Sequence, residues 1–261
     1  MRAIPVEDGS LHVAMPDAQT RYDMGNRRLF VTFNGKGDVT RLLLPAGVHL
    51  GGWEITLRVG GGEVSFTQAR AIGRLWELEG ETGPVQVSLL SFAAEDAAVY
   101  QQCRIANKGA RSLSAHIIVR FIPARPLPWS QRLRPELLAL IPRLPGLSFL
   151  WSRGWAKGLP PERARLHLGD KTTVAFVAAE RWLWSADQPP QDVRREGDVV
   201  VVTYTLAVPA EAITTLVWGV WPAAAGPEGL SQWPRALASA EAYARWLQDQ
   251  AACREPLLRS L

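Results

Sequence analysis

Residues 28–44, RLFVTFNGKGDVTRLLL, carry the strongest local signal in the chain. Residues 28–33 and 39–44 are rich in β-branched, aromatic and other apolar side chains, a composition typical of strands. Residues 34–38, NGKGD, separate them, and an Asn-Gly pair readily adopts the positive φ values that tight hairpins require. The stretch therefore predicts an antiparallel β-hairpin with its turn at Asn34-Gly35.

The same alternation of apolar runs and Gly-rich or Asn-rich turns continues on both sides of the hairpin and predicts an all-β fold. Its spacing is typical of a two-sheet antiparallel sandwich. We expect residues 113–122 to pair with residues 98–106 across the turn at 107–111, and the last two strands to be central. The further predicted strands are 53–59, 63–68, 74–79, 84–92, 98–106, 113–122, 164–168, 172–179, 198–206 and 212–221.

Residues 121–161 interrupt this pattern with repeated prolines and predict a long excursion from the sandwich. The segment holds six basic residues and one acid, so it carries the positive balance of a chain whose formal charge is +4. Trp129, Trp151 and Trp155 lie in it, where loops commonly carry function. Three roles stay open for these tryptophans: anchoring the excursion on the sandwich or on a catalytic domain, contact with a sugar, and contact with a membrane surface.

Most of the eleven tryptophans have a simpler interpretation. Trp182, Trp184, Trp218 and Trp221 lie in or beside predicted strands, and large aromatic side chains there usually fill the core between sheets. We expect these four to be buried.

From Pro234 the apolar period changes from two residues to about 3.6, which predicts an amphipathic helix that ends near Cys253. We divide the chain into a sandwich at 1–232 and a linker helix at 233–261. Tyr243, Trp246 and Leu247 are the predicted contact face of that helix. If nothing covers this face, it predicts homo-oligomers or aggregation.

Two stretches resemble family 15 glycoside hydrolases, the glucoamylase-like and trehalase-like enzymes. Residues 24–30, MGNRRLF, with 33–45, FNGKGDVTRLLLP, are similar to the opening of their N-terminal supersandwich, a galactose mutarotase-like β-sandwich. Residues 242–247, AYARWL, followed by 256–261, PLLRSL, are similar to the linker helix and the start of the (α/α)6 catalytic barrel. The chain is expected to end inside that second motif.

The resemblance implies a non-catalytic N-terminal domain that packs on an (α/α)6 barrel and shapes its active-site rim for α-glucosides. The family's catalytic glutamates lie in the barrel, so no catalytic residue is assigned here. Two alternatives remain: a self-standing carbohydrate-binding module, and a mutarotase-like aldose epimerase. The epimerase would use a His acid and a Glu base, and the chain's histidines are His12, His49, His116 and His167.

Other classes of function lack their sequence signals. Two distant cysteines and no clustered histidines predict neither a disulfide framework nor a metal site, and no cofactor motif is present. No segment is typical of base recognition in nucleic acids, and Glu54, Glu77 and Glu79 fit the solvated faces of strands. The N-terminus lacks a signal-like apolar segment and no apolar stretch is long enough to span a bilayer, so the cytoplasm is the predicted location.

Overall fold

The computed structural model describes residues 4–5, 10–25, 28–44, 49–95, 97–124, 165–168, 174–177 and 181–259. Within these ranges, eighteen strands form two antiparallel sheets, and one α-helix follows them. This confirms the all-β, two-sheet antiparallel sandwich with a C-terminal helix.

The strands have the following bounds. In chain order they are β1 (Ile4–Pro5), β2 (Leu11–Ala14), β3 (Arg21–Gly25), β4 (Phe30–Asn34), β5 (Val39–Leu43), β6 (His49–Val59), β7 (Gly62–Glu63), β8 (Phe66–Ile72), β9 (Leu75–Thr82), β10 (Val85–Ala93), β11 (Val99–Asn107), β12 (Leu113–Ile122), β13 (Arg165–Leu168), β14 (Val174–Val177), β15 (Arg181–Ala186), β16 (Asp192–Glu196), β17 (Val199–Val208) and β18 (Ile213–Pro222).

Sheet A has the strand order β1-β2-β8-β9-β10-β11-β18-β15-β14-β13. Sheet B has the order β16-β17-β12-β6-β5-β4-β3, and β7 forms a short hairpin with β6. Both late strands that the sequence predicts to be central, β17 and β18, are flanked on each side by another strand, although they lie in different sheets.

The predicted hairpin at residues 28–44 is present as β4 and β5, but its turn differs from the expectation. The positive φ is at Gly37, at +87°, and not at Gly35. The turn is tucked into the sandwich, where a Cβ on Gly37 would collide with Leu89 Cδ2 of sheet A. A Cβ on Gly35 would also collide, with the backbone of Asp17, so tertiary contacts that local sequence cannot reveal leave no room for a side chain at either glycine.

The predicted pairing of residues 98–106 with 113–122 is wrong. β11 pairs with β10 and β18 in sheet A, whereas β12 pairs with β6 and β17 in sheet B. The connection at 108–112 therefore crosses between sheets that pack about 10 Å apart. Each strand has one apolar face. That face is buried whether the two strands pair in one sheet or lie in two facing sheets, so alternation alone does not distinguish these arrangements.

Asn107 fastens this crossover to the neighbouring one between β17 and β18. Its Nδ2 donates to the carbonyl oxygens of Arg111 at 2.8 Å and Pro209 at 3.0 Å. Its backbone N–H donates to the Ala212 oxygen at 2.9 Å. One buried side chain thus joins two connections that are a hundred residues apart in sequence.

The strands that sequence reasoning missed include both edges of sheet B, β3 and β16. β16, DVRRE, has four charged residues and only Val193 as an apolar side chain, and β3, RYDMG, alternates with just two inward side chains, Tyr22 and Met24. Charged side chains are common on edge strands because they discourage further strand pairing. Strands with so few apolar residues give too short a pattern to be recognised from the sequence.

Aromatic side chains fill the space between the sheets, and Trp221 belongs to a second core between sheet A and the C-terminal helix. Trp182, Trp184, Trp218 and Trp221 are each at most 2% exposed, which confirms the prediction that they are buried. The Phe121 ring lies edge-on to Trp184 at 4.8 Å between centroids, so rings from sheet B and sheet A are in direct contact.

The Gln101 amide is the polar centre of this core and is fully buried. Its Oε1 accepts hydrogen bonds from the indole N–H groups of Trp53 at 2.6 Å and Trp218 at 3.0 Å. Its Nε2 donates to the Gly37 oxygen at 2.8 Å and to Ser91 Oγ at 2.9 Å. The amide therefore uses both lone pairs and both N–H groups, and it links strands of both sheets.

The single helix of the described residues, α1 (Trp233–Arg259), begins at the predicted position and continues past Cys253. Two short 3-10 helices, η1 (Ala223–Ala225) and η2 (Pro227–Gln232), precede it. The Trp233 ring packs against Phe92 at 5.1 Å between centroids, so α1 lies on the outer face of sheet A. Within the described residues, no helix combines the length and apolar character needed to cross a bilayer.

Substitution of Gln101 by leucine keeps the volume of the side chain but removes the hydrogen bonds that the Gln101 amide makes to four buried polar groups. We expect a loss of about 3 kcal/mol or more in the free energy of unfolding, measured by urea denaturation. Gln102→Leu is the matched control. The Gln102 side chain is half-buried on the opposite face of β11, so this substitution should change the free energy of unfolding by about 0.5 kcal/mol at most. Equal losses in the two variants would contradict a central role for the Gln101 amide.

Candidate functional site

The first candidate surface lies on α1, where two aromatic side chains project from the helix. Tyr243 is 40% exposed and Trp246 is 53% exposed, and their rings are nearly parallel at 19° with centroids 5.9 Å apart. The small residues Ala240 and Ala244 are buried on the side that faces sheet A. We call the exposed pair Tyr243 and Trp246 the aromatic helix face.

The turn between β8 and β9 borders the aromatic helix face and fixes its position. The Arg74 guanidinium lies 5.2 Å from the centroid of the Tyr243 ring, and Glu95 holds that guanidinium in an ion pair at 3.0 Å. Leu247 packs on the same turn, since a Cβ on Gly73 would be 3.0 Å from Leu247 Cδ1. Of the three residues predicted as a contact face, Tyr243 and Trp246 project outward and Leu247 is half-buried against the sandwich.

The other predicted contact residues, Trp129, Trp151 and Trp155, lie outside the described residues.

The second candidate surface is a groove of about 680 Å³ over β5 and β6 of sheet B, which we call the β5–β6 groove. It extends from the β4–β5 turn to the end of β12. The polar side chains among its lining residues are Asn34, Lys36, Asp38, Thr40, His49, Glu54, Thr56 and Glu63.

A bulge in β6 places His49 and Glu54 on the groove. The register between β5 and β6 shifts around Gly51, whose φ is +103° and whose Cβ would collide with the Ile122 oxygen of β12. Leu50 and Trp53 both remain buried in the core across this shift. A glycine is required at residue 51, because a side chain there would push β12 away from β6.

His49 is the most unusual polar group in the groove. Its Nε2 is buried and has no hydrogen-bond partner among the residues that the structure describes. Burial lowers the pKa of the His49 imidazole below its ordinary value, and the positive charge of Arg41 lowers it further. The imidazole is therefore neutral at pH 7.

The Asp38 carboxylate accepts hydrogen bonds within the protein and so is less available to a ligand than the other acids of the groove. These bonds come from Asn34 Nδ2 at 2.8 Å and from the Ile55 backbone N–H at 2.8 Å. The acids whose carboxylates line the groove without such bonds in the described structure are Glu54 and Glu63, and Lys36 is the cation opposite them.

The remaining histidines do not form an acid–base site with a nearby glutamate in the described structure. His12 hydrogen-bonds to Ser10 Oγ at 2.8 Å, and His116 is exposed and contacts Thr205 Oγ1 at 3.2 Å. His167 lies on β13, and only its backbone is described. Within the described residues no group of three or more His, Cys, Asp or Glu residues could hold a metal ion.

Glu77 and Glu79 lie on the outer face of β9 in sheet A and not in the groove. Glu79 is exposed, as predicted, but Glu77 is half-buried. Burial raises the pKa of the Glu77 carboxyl, the negative charge of Glu79 raises it further, and Arg70 lowers it. The pair therefore does not combine with the groove residues.

The chemistry available to the groove is hydrogen bonding to a ligand. His49 and Glu54 are five residues apart on one strand, and at about 3.3 Å per residue their backbone positions are separated by on the order of 15 Å. A general acid or base must reach its proton within about 3 Å, so this spacing does not place the two groups across a single carbon atom. Sequence reasoning weighed His49 as one of four histidines and assigned Glu54 to a solvated strand face, and the contributions of Lys36, Thr40 and Glu63 depend on strand pairing.

The fold defined by this geometry is a two-sheet supersandwich with its helix on sheet A. No protein-family model matches the chain, and no curated protein matches it either. Among solved structures it is similar to a putative kojibiose phosphorylase from the human microbiome, with a TM-score of 0.52 and 11% sequence identity. That match covers 96% of this chain and 38% of the phosphorylase, so the chain spans well under half the length of that protein.

Two smaller proteins also match. One is a galactose mutarotase related enzyme from Lactobacillus acidophilus, with a TM-score of 0.42 and 4% identity over 78% of this chain and 97% of that protein. The other is a galactose mutarotase-like protein from Lactobacillus casei, with a TM-score of 0.38 and 8% identity over 77% of this chain and 99% of that protein.

The buried position of His49 predicts a pH dependence of stability. Because its pKa is lower in the folded state than in the unfolded state, the unfolded chain binds the proton first as the pH falls. The free energy of unfolding should therefore decrease as the pH drops below about 6.5, down to the folded-state pKa. Urea denaturation from pH 8 to pH 5 should show a shallower decrease for His49→Gln than for the wild type. Identical slopes would contradict the burial of this imidazole.

Proposed function

We propose that this chain is a non-catalytic β-sandwich domain of a glucoamylase-like or trehalase-like enzyme acting on α-glucosides. In this role it packs against an (α/α)6 catalytic domain through α1 and shapes the rim of that domain's active site. The proposed location is the cytoplasm, as the sequence predicts.

The observation that carries this proposal is the aromatic helix face. Helix α1 packs on sheet A through Ala240 and Ala244, and the Tyr243 ring also contacts the turn at Gly73, yet Tyr243 stays 40% exposed and Trp246 53% exposed. Exposed aromatic side chains that neighbour one another are characteristic of protein contact surfaces. The ion pair between Arg74 and Glu95 keeps a cation on the Tyr243 ring, which gives the face a polar border like the rim of an interface.

The comparison with the phosphorylase supports a domain role. Nearly all of this chain matches, yet the match accounts for only 38% of that enzyme. His49 and Glu54, the histidine and glutamate of the groove, lie on the order of 15 Å apart along β6, a spacing that does not support the mutarotase-like alternative.

The aromatic helix face should cause weak self-association of the purified chain, because a second copy can cover it when no catalytic domain is present. Sedimentation velocity should show a concentration-dependent shift toward dimer, and Trp246→Glu should abolish that shift without changing the far-ultraviolet circular dichroism. Ile213→Glu is the matched control, since Ile213 is also 53% exposed but lies on β18, outside α1. A strictly monomeric wild type, or equal effects of the two variants, would count against docking through α1.

The same protein should show no turnover. Hydrolysis of maltose and trehalose, phosphorolysis of kojibiose with added phosphate, and interconversion of α- and β-glucose by polarimetry should all stay at the uncatalysed rate. Sugar release that scales with the protein and survives repurification would replace the proposal with a catalytic one. Faster anomer interconversion that is lost in His49→Ala would establish the epimerase alternative.

A further inference from the structure

The β5–β6 groove has the size of a small-molecule site and walls of hydrogen-bonding groups. Its volume of about 680 Å³ is in the range typical of ligand pockets. Hydroxyl groups of Thr40 and Thr56, the imidazole of His49 and the carboxylates of Glu54 and Glu63 line it. The groove thus offers both donors and acceptors along β5, β6 and β7.

The charges of the groove exclude several classes of ligand. Asp38, Glu54 and Glu63 are the acids of the lining and Lys36 is its cation, and Arg41 adds a second positive charge near His49. The acids outnumber these cations, so an anionic ligand such as a phosphate would meet a net negative wall. A divalent metal ion lacks its donor set, because no group of three or more suitable side chains is found among the described residues. A ligand without net charge fits this lining best.

The lining also has apolar side chains. Trp53 is 1% exposed and its indole N–H is bonded to Gln101 inside the core, but Ile55, Ile122 and Pro123 are partly exposed where they line the groove. The groove therefore presents apolar and polar side chains together beside the backbone of residues 51–53. A neutral molecule rich in hydroxyl groups matches such a surface.

Among the described residues, His49 is the groove residue with a hydrogen bond left to make. A buried nitrogen without a hydrogen bond is unfavourable, and Nε2 of His49 is such an atom in the described structure. A hydroxyl group both donates and accepts, so it can pair with this nitrogen in either tautomer of the neutral imidazole.

We propose that the β5–β6 groove is a binding site for a neutral disaccharide, which is long enough to reach both His49 and Glu54, its principal hydrogen-bonding residues. The sugar would contact Nε2 of His49 through one hydroxyl and the Glu54 carboxylate through another. This site is on the sandwich itself and does not depend on docking of α1 to a catalytic domain.

Titration of the ¹⁵N-labelled full chain with glucose, maltose and trehalose tests the site directly. We expect saturable shifts of the backbone amides of residues 49–56, with a dissociation constant on the order of 1 mM for at least one sugar. His49→Ala and Glu54→Gln should each weaken binding about tenfold. Citrate, a polyanion, should cause no saturable shift at these amides.

His116→Ala is the matched control, because His116 lies on β12 of the same sheet but does not line the groove. It should leave the dissociation constant unchanged. The conservative variant His49→Gln, which keeps a hydrogen-bonding side chain, should retain more affinity than His49→Ala and guards against an effect of misfolding.

Three results would overturn the proposal: no saturable shift with any of the three sugars up to 50 mM, shifts confined to residues 243–247, or equal losses in His49→Ala and His116→Ala. If the groove does not bind sugar, the sedimentation test of docking with Trp246→Glu is unaffected. Conversely, a monomeric chain that binds sugar in the groove would reject only the docking role.

Discussion

The amide of Gln101 holds the two sheets in one relative position. Hydrophobic burial alone drives sheets together without fixing their alignment, since it is not directional. The four hydrogen bonds of this amide are directional, and they join β11 of sheet A to Trp53 of sheet B and to the buried turn at Gly37. Any slip of one sheet over the other would leave several of these buried groups unpaired, which is why the alignment is specific.

That alignment is also what creates the β5–β6 groove. The turn at 34–38 is inserted against sheet A, and the register shift around Gly51 keeps Leu50 and Trp53 in the core while His49 and Glu54 line the groove. The floor of the groove is thereby built from the same strand that carries Trp53 inward to Gln101. One strand thus contributes its buried face to stability and its outer face to a polar surface.

The opposite sheet carries the helix, and the two candidate surfaces are therefore independent. Helix α1 covers the outer face of sheet A near Phe92 and Tyr100, whereas the groove lies on sheet B. The Arg74 guanidinium, the Tyr243 ring and the Trp246 ring form a continuous surface feature at the edge of the helix contact. This separation allows a sandwich to contact another domain on one sheet and a small ligand on the other.

The sequence by itself determined the elements. Alternation of apolar residues located β4 to β6, β8 to β14, β17 and β18 to within a few residues, and the change of period located α1, because side-chain burial follows the repeat of each element. Burial of Trp182, Trp184, Trp218 and Trp221 was predictable for the same reason. Tyr243 and Trp246 could be assigned to one helix face, whereas His49 was one of four histidines and Glu54 was expected only on a solvated strand face.

Only the tertiary structure decided which strands pair and what meets in space. β11 and β12 lie in different sheets, and the Asn107 side chain fastens the two crossovers through a contact between residues a hundred positions apart that no local pattern encodes. The positive φ is at Gly37 and not at Gly35, although Asp17 and Leu89 leave no room for a side chain at either position. The groove exists because a bulge and two strand pairings bring Lys36, Thr40, His49, Glu54 and Glu63 to one surface, and such long-range packing is invisible to the periodicity of a single strand.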